Sequence, residues 1–486
     1  MKQEVETAYE MVVGLEVHCQ LGTASKLFCS CSTASFGAEA NTNICPVCTG
    51  QPGTLPVLNR KAVESGFKAA LALNCKLRDV SVFARKNYFY PDLPKGYQIS
   101  QYELPFSENG FLEIALPQGP KRIGIHRIHL EEDAGKLLHA IGSEVLGYSL
   151  ADYNRAGTPL IEIVSEADLR SSEEAYQYLV TLKSILQYVG VSNCDMEKGE
   201  MRCDANVSIR PPGRAALGTR AEIKNLNSFR NVKDALDYEF RRQSELVDGG
   251  GSVVQETRLF DAERGVTLSM RSKEEAHDYR YFPDPDLVPL RADPDLVERL
   301  KAETPELPAE RRTRFTRQYG LTDYDAMVLT AERALADYYE SAVEAGGPNS
   351  VKTLAHWVGT DLLGRLNAAK IGIVASPVSP QRLGELARLL EDGTLSSKLA
   401  KEVLAKMWET GSAPKELVEK LGMTQVTDEG RVAGWVEAAM AENAQAVADL
   451  KAGKEAAIGR LVGSVMKKSA GKANPALIQK LIRARL

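Results

Sequence analysis

Acidic and imidazole side chains alternate with apolar ones in two stretches of the chain that have the pattern of β-strands. In Met11–Leu21, Glu16 and His18 share one face, because successive side chains of a strand point to opposite faces. The second stretch, Arg122–Glu132, ends in the acids Glu131, Glu132 and Asp133. Magnesium prefers carboxylate oxygen among protein ligands, so the two strands predict a magnesium site. The alternative is an exposed polar strand followed by acids at the start of a short helix, expected toward His139.

A third predicted strand, Met201–Arg210, has the cleanest alternation of the chain, and its polar face is unusually varied. That face consists of Arg202, Asp204, Asn206, Ser208 and Arg210. In the strand that follows, Glu222 and Lys224 form another pair on one face. Solubility alone does not need so varied a polar face, so the pattern predicts a functional site.

Four cysteines have the spacing of a metal site. Cys29-x-Cys31 is followed after thirteen residues by Cys45-x-x-Cys48, and four thiolates at such spacing suit tetrahedral zinc. We expect the zinc to be structural, because sulfur would fill all four positions. A catalytic cysteine or four buried free thiols are the alternatives. The other cysteines, Cys19, Cys75, Cys194 and Cys203, alternate with apolar residues and are expected in the core.

The stretch Lys86–Gln98 combines aromatic rings, lysines and prolines in thirteen residues. Pro91 and Pro94 exclude a plain core strand, since each lacks a backbone donor and fixes φ. Rings can stack on a base and lysines can meet phosphates, so a nucleotide is one expected occupant. The alternative is a loop whose rings only fill a core. The segment Asp278–Leu287 is a second loop of the same composition.

Composition indicates a globular protein of two or three domains. The 486 residues are 44% hydrophobic and 26% charged, with a net charge of −5 that gives no global attraction to nucleic acid. The N-terminus carries acids where a signal peptide has cations, and no apolar run could span a bilayer, so a cytoplasmic protein is expected. The expected domains are a strand-rich α+β domain with a mixed or antiparallel sheet at 1–292 and two all-α domains at 293–405 and 406–486.

Smaller elements follow from periodicity and turn residues. We expect helices at Leu58–Leu73, Ser171–Val189 and Phe229–Val247, a strand at Leu160–Val164, and hairpin-like strands in Ile99–Leu116 around a turn at Glu108-Asn109-Gly110.

The C-terminal segment is basic although the whole chain is acidic. After Glu455 it contains no acid but has seven cations: Arg460, Lys467, Lys468, Lys472, Lys480, Arg483 and Arg485. Such a local patch favours binding of tRNA or another RNA over a merely solvated helical surface.

No phosphate-binding loop of the Gly-x4-Gly-Lys-Ser/Thr type and no dinucleotide fingerprint occurs, so any use of ATP needs another cradle. The Gly-x-Ser-x-Gly nucleophile motif is absent too. Several longer motifs, in order along the chain, do resemble one known family. They are Gly14–His18, Lys86–Gln98, His129–Asp133, Asp152–Pro159, Arg202–Asn206, Tyr281–Leu287, Gly393–Lys401, Gly463–Lys467 and Gly471–Pro475. The chain resembles, end to end, the B-subunit family of glutamine-dependent aspartyl/glutamyl-tRNA amidotransferases, the GatB/GatE family.

This resemblance implies an ATP-dependent ligase that works in a heterotrimer with an amidase-type A subunit and a small C subunit. ATP would phosphorylate the side-chain carboxylate of misacylated Glu-tRNA(Gln) or Asp-tRNA(Asn). Ammonia from the A subunit would then displace phosphate. The misacylating aminoacyl-tRNA synthetase is a further candidate partner.

The resemblance also implies roles for single residues. Magnesium would be held by Glu16, His18, Glu131, Glu132 and Asp204, and structural zinc by the four clustered cysteines. The nucleotide would be bordered by Lys86, Tyr88, Tyr90, Lys95, Tyr97 and Asn206. Glu131, Arg202 and Lys224 would serve catalysis beside the acyl or phosphate groups, and Lys467, Lys468 and Lys472 would contact tRNA.

Two other hypotheses belong to different functional classes. The cysteines and the basic tail together would also suit a non-catalytic, zinc-stapled RNA-binding scaffold that only delivers tRNA. A free-standing kinase of small carboxylates would explain the acids but leaves the basic tail without a role. ATP-dependent phosphate release with misacylated tRNA separates the first hypothesis from the scaffold.

Overall fold

A computed structural model describes residues 8–142, 144–270, 279–422, 428–469 and 472–486. The acids at the N-terminus, Asp278 of the second aromatic loop and Gly471 of the tail motif lie outside these residues. The chain divides into two compact units, 1–307 and 308–486. In the described part of the chain, no helix has the length and apolar character needed to cross a membrane.

The first unit contains the strands of the described residues. They are β1 (Glu10–Gln20), β2 (Lys76–Leu77), β3 (Val80–Ser81), β4 (Ala84–Asn87), β5 (Tyr97–Ser100), β6 (Ser107–Leu116), β7 (Gly119–Glu132), β8 (Lys136–Ile141), β9 (Glu144–Asp152), β10 (Pro159–Ser165), β11 (Met201–Arg210), β12 (Ala221–Leu226), β13 (Glu256–Asp261), β14 (Val266–Ser269), β15 (Phe282–Pro283) and β16 (Leu290–Arg291).

Helices cover part of the first unit and make up the second. They are α1 (Arg60–Ala72), α2 (Ser172–Tyr188), α3 (Phe229–Asp248), α4 (Pro294–Glu303), α5 (Pro308–Tyr319), α6 (Asp323–Leu329), α7 (Arg333–Gly346), α8 (Val351–His356), α9 (Leu363–Ala369), α10 (Pro380–Glu391), α11 (Ser397–Thr410), α12 (Pro414–Leu421), α13 (Glu429–Glu442), α14 (Ala444–Lys451), α15 (Ala457–Lys468) and α16 (Pro475–Arg483).

One large sheet positions the polar residues of the first unit. Its strand order is β14-β13-β12-β11-β1-β10-β7-β6-β2, and every pair is antiparallel except β12 with β13. The first strand in the sequence, β1, therefore lies in the middle of the sheet between β10 and β11. The expected mixed sheet followed by helices is confirmed.

The alternation of β1 explains why one face of this sheet is a core and the other is not. Val13, Leu15, Val17 and Cys19 are fully or almost fully buried in one cluster with α1, α2 and α3. The other three cysteines expected in the core are buried as well. The side chains between the apolar ones of β1 point to the opposite face, which no helix of this cluster fills.

Two local predictions were wrong. Instead of turning at Glu108-Asn109-Gly110, β6 continues through it without a change of register, with Asn109 at φ +54° between the paired residues Glu108 and Gly110. Asn tolerates left-handed backbone better than most residues, so its presence does not require a turn. The short helix expected toward His139 is instead the strand β8, which pairs with β9 around Gly142.

The helical second unit has two hydrophobic cores. The first, from Phe315 to Val418, joins residues of α5 through α12, and the second, from Val432 to Ile482, joins α13 through α16. The helix α11 runs through residue 405, where the sequence predicted a domain boundary, because its apolar stripe of Leu399, Val403 and Met407 belongs to the first of these cores.

Candidate active site

The register of three antiparallel strands brings two imidazoles and two carboxylates together on the polar face. His18 of β1 lies opposite Glu162 of β10, which lies opposite His129 of β7. Oε2 of Glu162 is 3.3 Å from Nε2 of both histidines. Glu131 completes the group, with its oxygens 3.5 Å from His18 Nε2 and 3.6 Å from His129 Nε2. One ligand atom each from His18, Glu131 and Glu162 lies within 4.8 Å of the others, so these three residues could hold one metal ion.

The charges of this group depend on one another. Burial disfavours the imidazolium of His129, but the carboxylates of Glu162 and Glu131 outweigh it and raise the pKa of His129 to about 9. Burial likewise opposes ionisation of Glu131 and Glu162, yet the imidazoles hold the pKa of both carboxyls below the usual range. A divalent cation bound here would replace protons on the imidazole of His18, because only neutral imidazole coordinates a metal.

A second polar row lies next to the first on the same face. Glu16 lies opposite Asp204 of β11, and Asn206 donates to Glu16 Oε1 at 3.1 Å. Lys224 Nζ lies 2.7 Å from Asp204 and 2.9 Å from Glu222. Burial and then the carboxylates of Glu162, Glu222 and Asp204 raise the pKa of Glu16. Acids crowded in this way favour a cation between the rows.

Glu132 does not belong to the cluster that the sequence predicted. Adjacent residues of a strand point to opposite faces, so Glu132 points away from Glu131. Its carboxylate accepts from Lys95 Nζ and from the backbone N–H of Ile99. The five predicted magnesium ligands are therefore divided: His18 joins Glu131, Glu16 pairs with Asp204 one row away, and Glu132 is already occupied.

Arg202 is held at the edge of the group by Asp133, the last of the three acids at the end of the second predicted strand. Its guanidinium donates to Asp133 Oδ1 at 2.7 Å, and Gln20 donates to Asp133 Oδ2 at 2.8 Å. Burial opposes ionisation of Asp133, but Arg202 and then Arg155 hold the pKa of Asp133 low. Arg202 thus carries its charge on the same face as His18, its partner in register.

The two aromatic loops meet beside this site. β15 pairs with β4, and β4 pairs with β5, so both loops belong to one small sheet. Lys86 Nζ lies 4.8 Å from the ring centre of Tyr279 and 5.9 Å from that of Tyr88. Burial raises the pKa of Tyr88 and of Tyr281, and the charges of Asp92 and then Glu131 add to this at Tyr88, as that of Glu131 does at Tyr281.

The other predicted nucleotide-binding residues of this loop differ in how they are engaged. Lys95 is taken up by Glu132, and Tyr97 lies under the guanidinium of Arg85 at 4.3 Å. Tyr90 is 47% exposed and Phe89 beside it is 92% exposed. Of the other members of the predicted set in this loop, Tyr90 is thus exposed, whereas Lys86 and Tyr88 are half-buried.

The four clustered cysteines meet as their spacing predicted. Their Sγ atoms all lie within 4.8 Å of one another. A hydrogen bond from Cys29, the neighbouring backbone and the charge of Lys26 hold the pKa of Cys48 at about 4. Lys26 is fully buried, with Nζ 3.6 Å from Cys48 Sγ and 2.8 Å from the carbonyl of Asn43. Four convergent cysteine side chains, once deprotonated, fit a soft, four-coordinate metal.

Sequence reasoning missed Glu162, the residue that contacts both histidines. Its strand was predicted, but its side chain was not singled out. The available signal was one acid inside the otherwise apolar run Leu160–Val164, at a position that is almost fully buried. A buried charge without a partner is costly, so a lone acid in such a strand indicates a partner across the sheet.

A larger cavity of about 660 Å³ opens on the same polar face. Glu16 and Asn206 line it, together with residues of the loop before β12 and of the segment after β10. A smaller cavity of about 80 Å³ separates the cysteine cluster from Lys95, Tyr97 and Glu132.

Comparison with known proteins agrees with this architecture. A family described as the GatB/GatE catalytic domain matches residues 11–298, and one described as the GatB domain matches residues 337–486. The chain belongs to the GatB/GatE family. The resemblance predicted from the motifs is confirmed, and the His18–Glu131–Glu162 group lies inside the part that matches the catalytic domain.

Relatives within the GatB/GatE family are similar to this chain over almost its whole length. A protein of Carboxydothermus hydrogenoformans is 54% identical over 478 residues, which cover 98% of this chain and 99% of the relative. A protein of Persephonella marina is 52% identical over 475 residues, with coverage of 98% and 99%. Each of these relatives is named as the B subunit of an aspartyl/glutamyl-tRNA(Asn/Gln) amidotransferase.

The basic tail residues predicted to contact tRNA lie in and after α15, within the matched GatB domain. Acids of the same helical core neutralise several cations of this tail. Lys468 pairs with Glu442, Lys480 with Glu429, Arg483 with Glu455, and Arg485 with Glu437. Of the three predicted tRNA contacts, Lys467 and Lys472 have no ion pair among those the structure describes.

Proposed function

We propose that this chain is the B subunit of a tRNA-dependent amidotransferase. It phosphorylates the side-chain carboxylate of Glu-tRNA(Gln) or Asp-tRNA(Asn) with ATP, and ammonia then displaces phosphate to give the amide. The observation that carries the proposal is the His18–Glu131–Glu162 group in the part of the chain that matches the catalytic domain of the family. The names of the relatives support the substrate class and the multi-subunit assembly.

The chain's own residues supply the positions that this reaction needs. A carboxylate becomes a good acyl donor only when its oxygen is converted to a leaving group, which phosphorylation achieves. Magnesium, when bound by His18, Glu131 and Glu162 with Glu16 nearby, would neutralise the phosphate oxygens during transfer. Arg202 and Lys224 stand at the edge of this group and can orient the acyl and phosphoryl oxygens.

The nucleotide is assigned to the aromatic loops. Lys86 lies between two tyrosine rings and can meet phosphate, while Tyr88 and Tyr90 offer ring faces for the base. Lys95 pairs with Glu132, and the ring of Tyr97 packs against the guanidinium of Arg85. These two residues therefore hold the loop in place. Asn206, held against Glu16, borders the acyl group in this arrangement rather than the base.

The four cysteines are assigned to structural zinc, and the complete enzyme to a cytoplasmic heterotrimer. The zinc assignment is supported by the four convergent thiols and the low pKa of Cys48. An amidase-type A subunit with a small C subunit would supply ammonia, which agrees with the lack of a Gly-x-Ser-x-Gly motif in this chain.

The test uses the assembled complex with ATP, glutamine and each misacylated tRNA. Glu131→Gln keeps the shape of the side chain but removes the charge, so we expect amidated tRNA to fall by roughly a hundredfold or more while glutamine hydrolysis continues in part. The matched control is Glu113→Gln. Glu113 is an exposed glutamate of β6 that pairs with Arg122 of β7. Amidation at the wild-type rate in Glu131→Gln would show that the charge of Glu131 has no role in the reaction. Binding of tRNA without ATP consumption by the wild-type complex would favour the scaffold hypothesis.

A further inference from the structure

The hairpin β8–β9 leaves the large sheet between two strands that pair with each other, β7 and β10. Residues 133–135 and 153–158 connect the hairpin to those strands, and we call these two segments the neck. They lie side by side, because the backbone N–H of Asp133 donates to the carbonyl of Thr158 and that of Gly157 donates to the carbonyl of Asp133, both at 2.8 Å. The second segment comes from the motif Asp152–Pro159, which no step of the proposed reaction uses.

One side of the neck holds the guanidinium of Arg202. The carboxylate of Asp133 accepts from Arg202 Nη2 at 2.7 Å, and Arg155 Nε lies 3.5 Å from its other oxygen. The side chain of Asp133 is only 2% exposed. A buried carboxylate between two guanidinium groups restricts the orientation of both, because charged pairs of this kind prefer a defined geometry. The position of Arg155 therefore influences that of Arg202.

The other side of the neck holds the tip of the first aromatic loop, Lys86–Gln98. The Tyr153 hydroxyl donates to the carbonyl of Pro91 at 2.9 Å. The backbone N–H of Gly135 donates to the carbonyl of Asp92 at 2.8 Å. A Cβ on Gly135 would lie 2.9 Å from the ring of Tyr153 and 3.0 Å from the carbonyl oxygen of Asp92, so the close approach requires a glycine. The tip of the loop is therefore fixed to the neck by two hydrogen bonds.

Arg155 connects the two sides of the neck. Its Nε donates to the carbonyl of Ala134 at 3.0 Å, and its Nη2 donates to that of Gly135 at 2.6 Å. Gly135 contacts the tip of the loop, and Asp133 holds Arg202. One rigid guanidinium plane therefore fixes the short segment that makes both contacts. A lysine would keep the charge but could not reproduce this arrangement, because its ammonium is a single point on a flexible stem.

We propose that Arg155 is a positioning residue that couples the nucleotide site to Arg202. The inference rests on the proposed function, which assigns the loop to the nucleotide and Arg202 to the acyl and phosphoryl oxygens. A bound nucleotide restricts the loop, the neck transmits this restriction to Asp133, and Arg202 is held in its working orientation. The coupling is reciprocal by thermodynamic linkage, so each substrate increases the affinity of the complex for the other.

The experiment measures the dissociation constant of β,γ-imido-ATP for the assembled complex in magnesium, with and without misacylated tRNA. The coupling factor is the ratio of the two constants. We expect a factor of about ten in the wild type, within the usual range for coupled sites, and of about one in Arg155→Lys. The matched control is Arg122→Lys, which should keep the wild-type factor, because Arg122 of β7 has a side chain that is 62% exposed.

Two further variants each remove one side of the connection. Asp133→Asn removes the charge that holds Arg202, so it should lower the coupling factor and leave the affinity for β,γ-imido-ATP alone unchanged. Tyr153→Phe removes the hydrogen bond to Pro91, so it should weaken binding of β,γ-imido-ATP alone about three- to tenfold and lower the factor too. Because Tyr153→Phe removes a single hydroxyl, it tests the connection even where the other two variants fail to assemble.

Three outcomes would overturn the proposal. They are a coupling factor of one in the wild type, an equal factor in the wild type and Arg155→Lys, and weaker binding of both ligands at an unchanged factor, which would indicate a purely structural neck. Formation of amidated tRNA by the wild-type complex from ATP and glutamine tests the proposed function separately. Amidation without coupling would contradict this inference alone, whereas coupling without amidation would contradict the proposed reaction.

Discussion

One carboxylate oxygen joins both imidazoles of the candidate site. Oε2 of Glu162 lies 3.3 Å from Nε2 of His18 and from that of His129, across two strand pairs. Replacing this carboxylate changes both histidines at once, whereas Glu16 lies in the neighbouring row, opposite Asp204. Glu162 is therefore the residue through which the group can be tested as a unit.

We expect Glu162→Gln to weaken magnesium-dependent amidation. The amide keeps the size but loses the charge that offsets a bound cation, so the magnesium concentration for half-maximal activity should rise about ten- to a hundredfold. The measurement is a magnesium titration of amidated-tRNA formation by the complex. Glu144→Gln on the exposed hairpin serves as control. An unchanged magnesium dependence would exclude Glu162 from the metal site.

Lys26 is a second residue whose burial has a measurable consequence. Its ammonium group lies 3.6 Å from Cys48 Sγ and is fully buried. A zinc ion with four thiolates carries a net charge of about −2, which a buried cation stabilises. We expect Lys26→Met to lower zinc affinity about tenfold or more, measured as faster zinc release to a chromophoric chelator. Release as slow as in Lys61→Met, an exposed lysine of α1, would contradict this.

Sequence alone could predict part of the site for a clear reason. Alternation placed Glu16, His18 and Glu131 on polar strand faces, and the structure gathers them on one face of one sheet. The same rule should have excluded Glu132, which is next to Glu131 and so points to the other side. Glu162 was missed because a single acid in an apolar strand has no spacing partner nearby in the sequence.

At the scale of elements, the wrong turn prediction has a local cause. Asn109 adopts left-handed backbone, as turn residues often do, but it does so inside a strand. A Cβ at Gly110 would lie 2.2 Å from Cys75 Sγ, so this glycine is required by the close approach of the loop after α1. Such a contact depends on tertiary packing and leaves no local signal.

The helix α3 is tied to the edge of the large sheet by a buried acid. Glu239 is fully buried and contacts Arg242, Arg258 and Thr267 on α3, β13 and β14. Burial opposes its ionisation, but the hydrogen bonds and charges of these partners hold the pKa of Glu239 below its ordinary value. The stability it contributes is therefore present above about pH 4.5 and is lost as pH falls through the lowered pKa.

We expect Glu239→Gln to lower the free energy of unfolding by about 3 kcal/mol at pH 7, since it removes the buried counter-charge of Arg242 and leaves Arg258 with Glu256 alone. The difference from the wild type should begin to shrink as pH falls below about 4.5 and should disappear below the lowered pKa, where the folded wild-type carboxyl is neutral too. Urea unfolding at neutral and acidic pH measures both effects. Glu245→Gln, on the exposed face of α3, should show neither. A difference independent of pH would show that the carboxylate charge is not responsible.

At the scale of the whole molecule, the net charge of −5 restricts RNA binding to local cations. The tail carries seven of them after Glu455, but the structure pairs four with acids of α13 and of the turn before α15. The number of basic residues in the sequence therefore exceeds the number of cations open to phosphate. The number of basic residues can be counted in the sequence, but the number of cations open to phosphate depends on how the helices pack.

We expect the double change Lys467→Ala and Lys472→Ala to weaken tRNA binding and to make its dependence on salt less steep, by about two in the logarithmic slope. The matched control is Lys480→Ala with Arg483→Ala, whose side chains already pair with Glu429 and Glu455. Equilibrium binding to the complex at several salt concentrations measures both. Equal slopes for the two double variants would contradict a special role for Lys467 and Lys472.

The central position of β1 has a consequence for the synthesis of the chain. Of the described strands, β1 is synthesised before the others, but its neighbour β10 begins at Pro159 and β11 at Met201. At a translation rate of about 5–20 residues per second, β1 waits roughly 10–40 s for its second partner. During that time its apolar face is open to chaperones and to other nascent chains. The register that aligns His18 with Glu162 and Arg202 thus also sets the earliest moment at which a growing chain can assemble the candidate site.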